Sequence, residues 1–149
     1  MIGHAWTVIC EKAIIDQASN NISLDVMEQI MIQGPPIPED QERIFVPAPL
    51  TVASLWYREN PDKPCRGRAR IKTISPGGEE LGVFEIDIDL TKAKRTRTIC
   101  KMNGLPINKG ENGSYSFILE LEQEDKWHEV ANVPLEVRLE EIAQESQAG

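Results

Sequence analysis

The strongest constraint on the fold is a pair of neighbouring segments that alternate charged residues with small or apolar ones around a single turn. The first segment carries a cation at every second position, and these cations are Arg66, Arg68, Arg70 and Lys72. The second carries an acid at every second position, and these acids are Glu85, Asp87 and Asp89. Between them, Ser75-Pro76-Gly77-Gly78 is typical of a β-turn. Because strand side chains alternate between two faces, the pattern predicts a hairpin with one ionic face.

The same alternation predicts how the two strands align. Antiparallel pairing about the turn places Arg70 opposite Glu85, with Arg68 opposite Asp87, Arg66 opposite Asp89 and Lys72 opposite Val83. The other face then pairs Ile71 with Phe84, Ala69 with Ile86 and Gly67 with Ile88. A slip by one residue would exchange the two faces. Exposed cross-strand ion pairs contribute only about 0.2–1 kcal/mol each, so we expect these pairs to specify the register more than to stabilise the sheet.

The remaining sequence also alternates between short β-rich segments and turns. The predicted strands span 4–10, 22–32, 50–57, 65–75, 81–90, 95–102, 115–121 and 133–139. The proline-rich segment 34–40 and the segment 105–112 are predicted loops. This spacing is typical of a β-sandwich or small barrel. We therefore predict an all-β, single-domain antiparallel β-sandwich of about eight strands, of Ig-like or C2-like architecture, with little helix.

Chain length and tail composition predict the domain organisation. A length of 149 residues is near the commonest size of one domain. We assign residues 1–139 to the β-sandwich domain and 140–149 to a short acidic C-terminal tail. One or two helical turns in 140–145 would be too short to be stable alone.

The order of several landmarks resembles a known protein family. These landmarks are 13–16 (Ala-Ile-Ile-Asp) before 21–24 (Asn-Ile-Ser-Leu), 47–50 (Pro-Ala-Pro-Leu) before 55–58 (Leu-Trp-Tyr-Arg), and 113–117 (Gly-Ser-Tyr-Ser-Phe). Together they resemble an uncharacterised bacterial family of domains of unknown function, roughly 140 residues long, a typical single-domain size. The resemblance implies a β-sandwich and supplies no catalytic motif.

Charge, hydropathy and cysteine usage exclude several classes of protein. The net charge is −8, although 11 of the 16 bases and only 7 of the 24 acids lie between Arg58 and Lys101. No apolar run approaches the roughly 20 residues of a membrane-spanning helix, and the N-terminus lacks a secretory signal. The three cysteines are scattered along the chain, and we predict that they are reduced thiols. We therefore expect an acidic, cytoplasmic protein that binds no membrane.

Residues suited to catalysis are sparse. Only two histidines occur, His4 and His128, and no serine lies in a G-x-S-x-G motif. No glycine-rich segment has the lysine and helix start of a phosphate-binding loop. The acids lie along strands or in isolated pairs, whereas calcium needs several converging oxygens. We therefore expect no enzyme activity, no catalytic residues, no metal and no cofactor.

Five residues are candidates for binding. Arg95 and Arg97 alternate on a later strand that has no obvious acidic partner. Trp56, Trp127 and His128 are the aromatic candidates, although aromatic residues of a β-protein usually pack in its core. Nucleic-acid binding is not expected, because single-strand readers interleave aromatic residues with their cations and this chain does not.

The leading functional hypothesis is a non-enzymatic domain that acts through protein contacts, as a homo-oligomer or with a protein partner. Long patterned strands leave sheet edges that need a partner or a guard. The alternative is a small-ligand or carbohydrate-binding module that uses loop residues and a tryptophan. A third hypothesis, a hydrolase built from loop acids and His128, has the least support from the sequence.

Overall fold

The computed structural model describes residues 1–142, in which all regular secondary structure is β. This part of the chain contains eleven strands and no helix, so nothing in it forms a long apolar helix that could cross a membrane. The strands are β1 (Ile2–Ile15), β2 (Ile22–Val26), β3 (Gln29–Gly34), β4 (Arg43–Val46), β5 (Leu50–Arg58), β6 (Cys65–Ile74), β7 (Glu80–Leu90), β8 (Arg95–Met102), β9 (Leu105–Asn108), β10 (Gly113–Gln123) and β11 (Lys126–Glu141). The all-β prediction is confirmed.

These strands form three sheets. A four-stranded sheet has the order β2-β1-β5-β8, a five-stranded sheet has the order β3-β11-β10-β6-β7, and β4 pairs with β9 in a two-stranded ribbon. The pairs are antiparallel except that β3 runs parallel to β11, from Gln29 opposite Glu136 to Gly34 opposite Glu141. The prediction of a wholly antiparallel fold is therefore wrong at this edge.

The predicted number of about eight strands was too low, and the segment 22–32 is one reason. Its apolar residues keep one parity, yet the chain changes sheets in the middle. Met27 N donates to Ile9 O of the four-stranded sheet (2.8 Å), whereas Glu28 O accepts from Glu136 N of the five-stranded sheet (3.0 Å). Two adjacent residues thus form hydrogen bonds with different sheets. The alternation of apolar residues alone cannot reveal where the chain passes from one sheet to the other.

The ribbon is the other reason, because both of its strands lie next to prolines. Its register runs from Arg43 opposite Asn108 to Val46 opposite Leu105, and it includes Pro106. Proline is tolerated in a two-stranded ribbon because an edge strand does not need every amide donor. The prediction that 105–112 is a loop was therefore wrong for its first four residues.

Buried side chains of both sheets and of the ribbon form one hydrophobic cluster. Trp56, Tyr115 and Phe117 are its largest fully buried members. Burying each such side chain contributes about 1.5–3 kcal/mol, so this cluster is the main source of stability.

The charged hairpin has the predicted register. Arg66 pairs with Asp89, Arg70 with Glu85 and Lys72 with Val83, and the apolar pairs on the other face follow as expected. The second predicted hairpin, β10–β11, is also confirmed. Its turn residues Glu124 and Asp125 have φ of 53° and 60°, the backbone of a tight hairpin turn.

The predicted boundary between the domain and the acidic tail, after residue 139, is wrong. Glu140 and Glu141 belong to β11 and pair with Gln33 and Gly34 of β3. Ile142 N continues this contact by donating to Gly34 O at 2.8 Å, and residues 143–149 of the predicted tail lie outside the described residues.

Candidate functional site

Trp56 is a core residue and cannot serve as a binding residue, which corrects the sequence analysis. Its side chain is fully buried, and its Nε1 donates to Thr98 Oγ1 at 2.9 Å. The His4 ring meets it edge-on, with ring centres 5.1 Å apart. Tyr57 points to the opposite face and is 38% exposed, as strand alternation requires.

His4 lies in a polar row beside this tryptophan. His4 Nε2 and Thr7 Oγ1 are 2.6 Å apart, and Thr7 Oγ1 lies 2.8 Å from Ser54 Oγ. Burial lowers the pKa of His4, although a hydrogen bond involving the Trp6 backbone acts in the opposite direction. The His4 imidazole therefore belongs to the packing of the four-stranded sheet.

Trp127 and His128 are neighbours on β11 that do not form one site. Trp127 lies opposite Glu122, and His128 lies opposite Leu121, so the two side chains leave the strand on opposite faces. The Trp127 ring is already covered, because Arg70 Cζ lies 4.2 Å and Arg68 Cζ lies 6.0 Å from its centre. His128 is exposed on the strand surface.

The cations of β6 make their shortest ion pairs with β10, on the side away from β7. Arg68 Nη2 lies 2.7 Å from Glu122 Oε2, Arg70 Nε lies 3.1 Å from Glu120 Oε1, and Lys72 Nζ lies 2.9 Å from the same oxygen. The sequence pattern did not predict that Glu120 and Glu122 belong to this ladder. Their alternation with Leu119 and Leu121 was the available signal.

Glu120 is the centre of this ionic network. Burial alone would raise its pKa, but hydrogen bonds and charge from Lys72 and Arg70 lower it below the ordinary value. The pKa of the Arg68 guanidinium is raised, mainly because Arg68 donates a hydrogen bond to Glu122. Both directions of shift favour the charged forms of Glu120 and Arg68.

On the other side of β6, contacts to the acids of β7 are longer. Arg66 Nη2 lies 3.6 Å from Asp89 Oδ2, and Arg68 Nη1 lies 3.6 Å from Glu85 Oε2. We call Glu85, Asp87 and Asp89 the acidic stripe; all three are exposed. Because β7 ends the sheet order, the stripe has β6 on one side only. Val83 and Phe84 on this strand are each 45% exposed.

Arg95 and Arg97 lie on the outer face of the four-stranded sheet, away from the core. Cross-strand rows place Trp6, Leu55 and Arg97 side by side, and Gly3, Tyr57 and Arg95 in the next row. A Cβ added to Gly3 would collide with the Tyr57 ring, so that ring lies flat over the glycine. The two arginines thus border an aromatic and aliphatic surface.

The β1–β2 hairpin bends back over this outer face. The register shifts between Cys10 and Ala13, and the far turn, residues 16–21, reaches β8 at the opposite edge of the sheet. There Arg97 Nη2 donates to Asn20 O at 2.6 Å, and Arg97 Nη1 lies 3.4 Å from Asn20 Oδ1. The structure therefore gives Arg97 an intramolecular partner that sequence analysis missed.

A groove of about 630 Å³ opens between this turn and the sheet, and we call it the hairpin groove. Its lining consists of Trp6, Ile15, Ser19, Asn20, Asn21, Ile22, Leu55, Arg95, Thr96, Arg97 and Ile99. Both predicted arginines thus belong to one concave site, whereas Trp56, Trp127 and His128 lie elsewhere. Trp6 and Asn20 were not predicted, because only the folded-back hairpin brings them together.

No group of three or more His, Cys, Asp or Glu side chains within residues 1–142 has an arrangement that could hold a metal ion. The three cysteines are free thiols, and burial raises the pKa of Cys10 and Cys100. Neither a protein-family model nor a curated protein sequence matches this chain.

Proposed function

We propose that this protein is a non-enzymatic binding domain that acts through protein contacts, and that its contact surface is the outer edge of β7. The observation that carries this proposal is the acidic stripe on a long strand at the end of the five-stranded sheet. An edge strand offers backbone donors and acceptors to an added strand. Charge on that strand then selects which chain can pair with it.

The ion-pair geometry supports an incompletely satisfied negative charge at Glu85 and Asp87, whereas Asp89 already accepts hydrogen bonds from Thr91. Arg68 and Arg70 turn toward Glu122 and Glu120, with hydrogen bonds of 2.7 and 3.1 Å. The contact of Arg68 with the acidic stripe is longer, since its Nη1 lies 3.6 Å from Glu85 Oε2. The stripe therefore keeps negative potential for a second cationic neighbour.

The favoured occupant is a strand of a partner protein that alternates basic with small or apolar residues. Such a strand would repeat on the outer side of β7 the charge pairing that β6 provides on the inner side. A second copy of β7 is a poor occupant, because pairing two acidic stripes would bring like charges together. The half-exposed Val83 and Phe84 would gain apolar contacts in the complex.

A labelled synthetic peptide with the repeating pattern of residues 66–72 tests this surface. We expect fluorescence anisotropy to show binding to the whole protein, and a peptide of equal composition with clustered arginines to bind more weakly. The double substitution Glu85→Gln and Asp87→Asn should weaken binding about tenfold, which corresponds to about 1.4 kcal/mol. The matched double substitution Glu124→Gln and Glu129→Gln, at exposed acids near the β10–β11 turn, should leave affinity within twofold.

Equal losses for the two double variants would contradict the β7 proposal, because general charge attraction would then explain binding. Light scattering at several salt concentrations separates the homo-oligomer from a partner protein. A dimer that is lost with the Glu85→Gln and Asp87→Asn substitutions would contradict the proposed occupant, because the β7 edge would then pair with a second copy of this chain.

For the fold, we propose that the two large sheets form a β-sandwich, of Ig-like or C2-like architecture. Their shared hydrophobic cluster supports this proposal. So does Tyr115, near the start of β10, whose hydroxyl donates to Glu111 O at 2.9 Å. A tyrosine bonded to an upstream carbonyl occurs in many Ig-like sandwiches. Membership of the bacterial family and a cytoplasmic location stay predictions.

The alternative function is a small-ligand or carbohydrate-binding module. For the carbohydrate form, the two predicted tryptophans do not offer a free binding surface, because Trp56 is buried and Arg70 covers Trp127. Its small-ligand form is supported by the hairpin groove, which lies on the other large sheet.

A further inference from the structure

The hairpin groove has apolar walls on both sides. Trp6 and Leu55 pair across β1 and β5 and line its floor, and Ile99 continues that floor on β8. The folded-back hairpin supplies Ile15 and Ile22 from above, and Ile15 is 43% exposed. Small-molecule sites are usually concave and about 300–1,000 Å³ in volume, so the groove has a suitable size.

The polar rim of the groove is cationic. Its lining contains Arg95 and Arg97, and none of the described residues that line it is acidic. Within residues 1–142, no carboxylate oxygen lies within 4.0 Å of either guanidinium, and Arg95 makes no hydrogen bond through its side chain. Lys92 and Lys94 precede them in the β7–β8 loop. A positive rim on a protein of net charge −8 is the kind of field that attracts an anion.

A second groove has a different charge: its lining contains acidic as well as basic side chains. The groove beside the ribbon, about 540 Å³, is lined by Glu39, Gln41, Glu42, Arg43, Glu79, Asn108, Lys109 and Glu111. Its bases are engaged at least in part, since Arg43 forms an ion pair with Glu79. The hairpin groove thus differs in having cations without acids beside an apolar floor.

We propose that the hairpin groove binds a small carboxylate with an apolar body, free in solution, whose anionic group is held by Arg95. The guanidinium can donate two parallel hydrogen bonds to a carboxylate. Trp6, Leu55 and Ile99 contact the apolar body. Arg97 positions the roof of the site, because its bonds to Asn20 hold the hairpin turn against β8. This site lies away from the β7 edge and does not depend on the protein-contact proposal.

Decanoate is the test ligand, used below its micelle concentration with the full-length protein. Calorimetry or displacement of anilinonaphthalene sulfonate would measure its binding. We expect decanoate to bind, decanol to bind at least tenfold more weakly, and decyltrimethylammonium not to bind. Equal binding of the three compounds would show general apolar adsorption and would overturn the proposal, as would no decanoate binding at millimolar concentration.

Substitutions then distinguish binding in the hairpin groove from binding elsewhere on the surface. Arg95→Gln should weaken decanoate binding about tenfold and leave decanol binding unchanged. Arg66→Gln removes the same charge from an exposed arginine on the five-stranded sheet and should leave both affinities within twofold. An equal loss in the two variants would overturn the assignment to Arg95.

The contribution of the apolar residues to binding is tested with a substitution that should not disturb folding. Ile15→Ser removes a half-exposed side chain of the roof, so it should preserve the melting temperature while weakening decanoate and decanol alike. Decanoate affinity unchanged by both Ile15→Ser and Trp6→Phe, in proteins with native melting temperatures, would place the ligand elsewhere and would refute the proposed site.

Discussion

Arginines alternate along both β6 and β8, but the two strands use them differently. Arg68 and Arg70 of β6 lie between acidic residues on both neighbouring strands and bond to Glu122 and Glu120. Arg95 and Arg97 of β8 lie at a sheet edge beside β5, whose facing residues are Tyr57 and Leu55. The same one-strand pattern therefore produces a neutralised network in one sheet and a cationic rim in the other.

The neighbours of a strand explain this difference. A central strand has two ladders, so each cation of β6 can choose the better placed of two acids. An edge strand has one ladder, and across it Arg95 and Arg97 of β8 face Tyr57 and Leu55, which carry no charge. Alternating arginines thus indicate a strand, while the sheet order determines whether their charge is available to a ligand.

The largest expected effect comes from removing a matched cation. Arg70→Ala should destabilise the protein by about 2 kcal/mol, because it leaves the mostly buried Glu120 with one cation fewer. The Arg70 and Glu120 side chains are 23% and 13% exposed. Arg95→Ala should change stability by less than about 0.5 kcal/mol. Urea unfolding of both variants measures the difference, and similar losses would mean that the two strands do not differ as described.

The next effect concerns acid stability. Because the folded-state pKa of Glu120 is lowered, its ion pairs stabilise the protein above the ordinary carboxyl value of 4.5 and are lost as the pH falls through the folded-state value. Glu120→Gln should therefore cost about 1.5 kcal/mol at pH 7 and progressively less below pH 4.5. Chemical unfolding across this pH range tests the trend, and a constant difference would argue against the charged network.

A smaller effect is expected from the aromatic side of the same network. Trp127→Leu should cost about 0.5–1 kcal/mol by removing the cation–π contact with Arg70. A double-mutant cycle with Arg70→Met isolates the contact from the change in side-chain volume. A coupling energy indistinguishable from zero would show that Arg70 only covers the ring.

The smallest effect should appear on β8 and have the opposite sign. Arg95→Gln should stabilise the protein by a few tenths of a kcal/mol at low salt, because it relieves repulsion with nearby cations. The gain should disappear at about 1 M salt, where the screening length is about 3 Å. Melting temperatures at the two salt concentrations test this sign, and destabilisation at low salt would indicate an acidic partner for Arg95.

Local sequence determined some features well and others poorly. Alternation was sufficient for the charged hairpin register and for the bounds of β8, since both depend on neighbouring residues. The role of Glu120 was not predictable from alternation, because it depends on β10 lying beside β6. Which of Trp56 and Tyr57 is exposed was also not predictable, because it depends on which face of the sheet covers the core.

The candidate site was predicted only in part. Arg95 and Arg97 were singled out because they lacked an acidic partner in the sequence pattern. Their groove was not predicted, because it forms only when the β1–β2 hairpin bends and Asn20 reaches Arg97. Long-range contacts of this kind leave no periodic signal in one sequence.

The parallel pairing of β3 with β11 has a consequence for biosynthesis. Gln33 Nε2 donates to Glu140 Oε2 across this pair, and 107 residues separate the two side chains along the chain. Ile30 and Ile32 of β3 therefore emerge from the ribosome long before β11, the strand with which they pair in the sheet. An apolar strand without its partner is prone to aggregate. We expect pulse-labelled hydrogen exchange to show β3 protected after the β6–β7 hairpin, since distant pairings form slowly. During synthesis, β3 therefore has no sheet partner until β11 has been made.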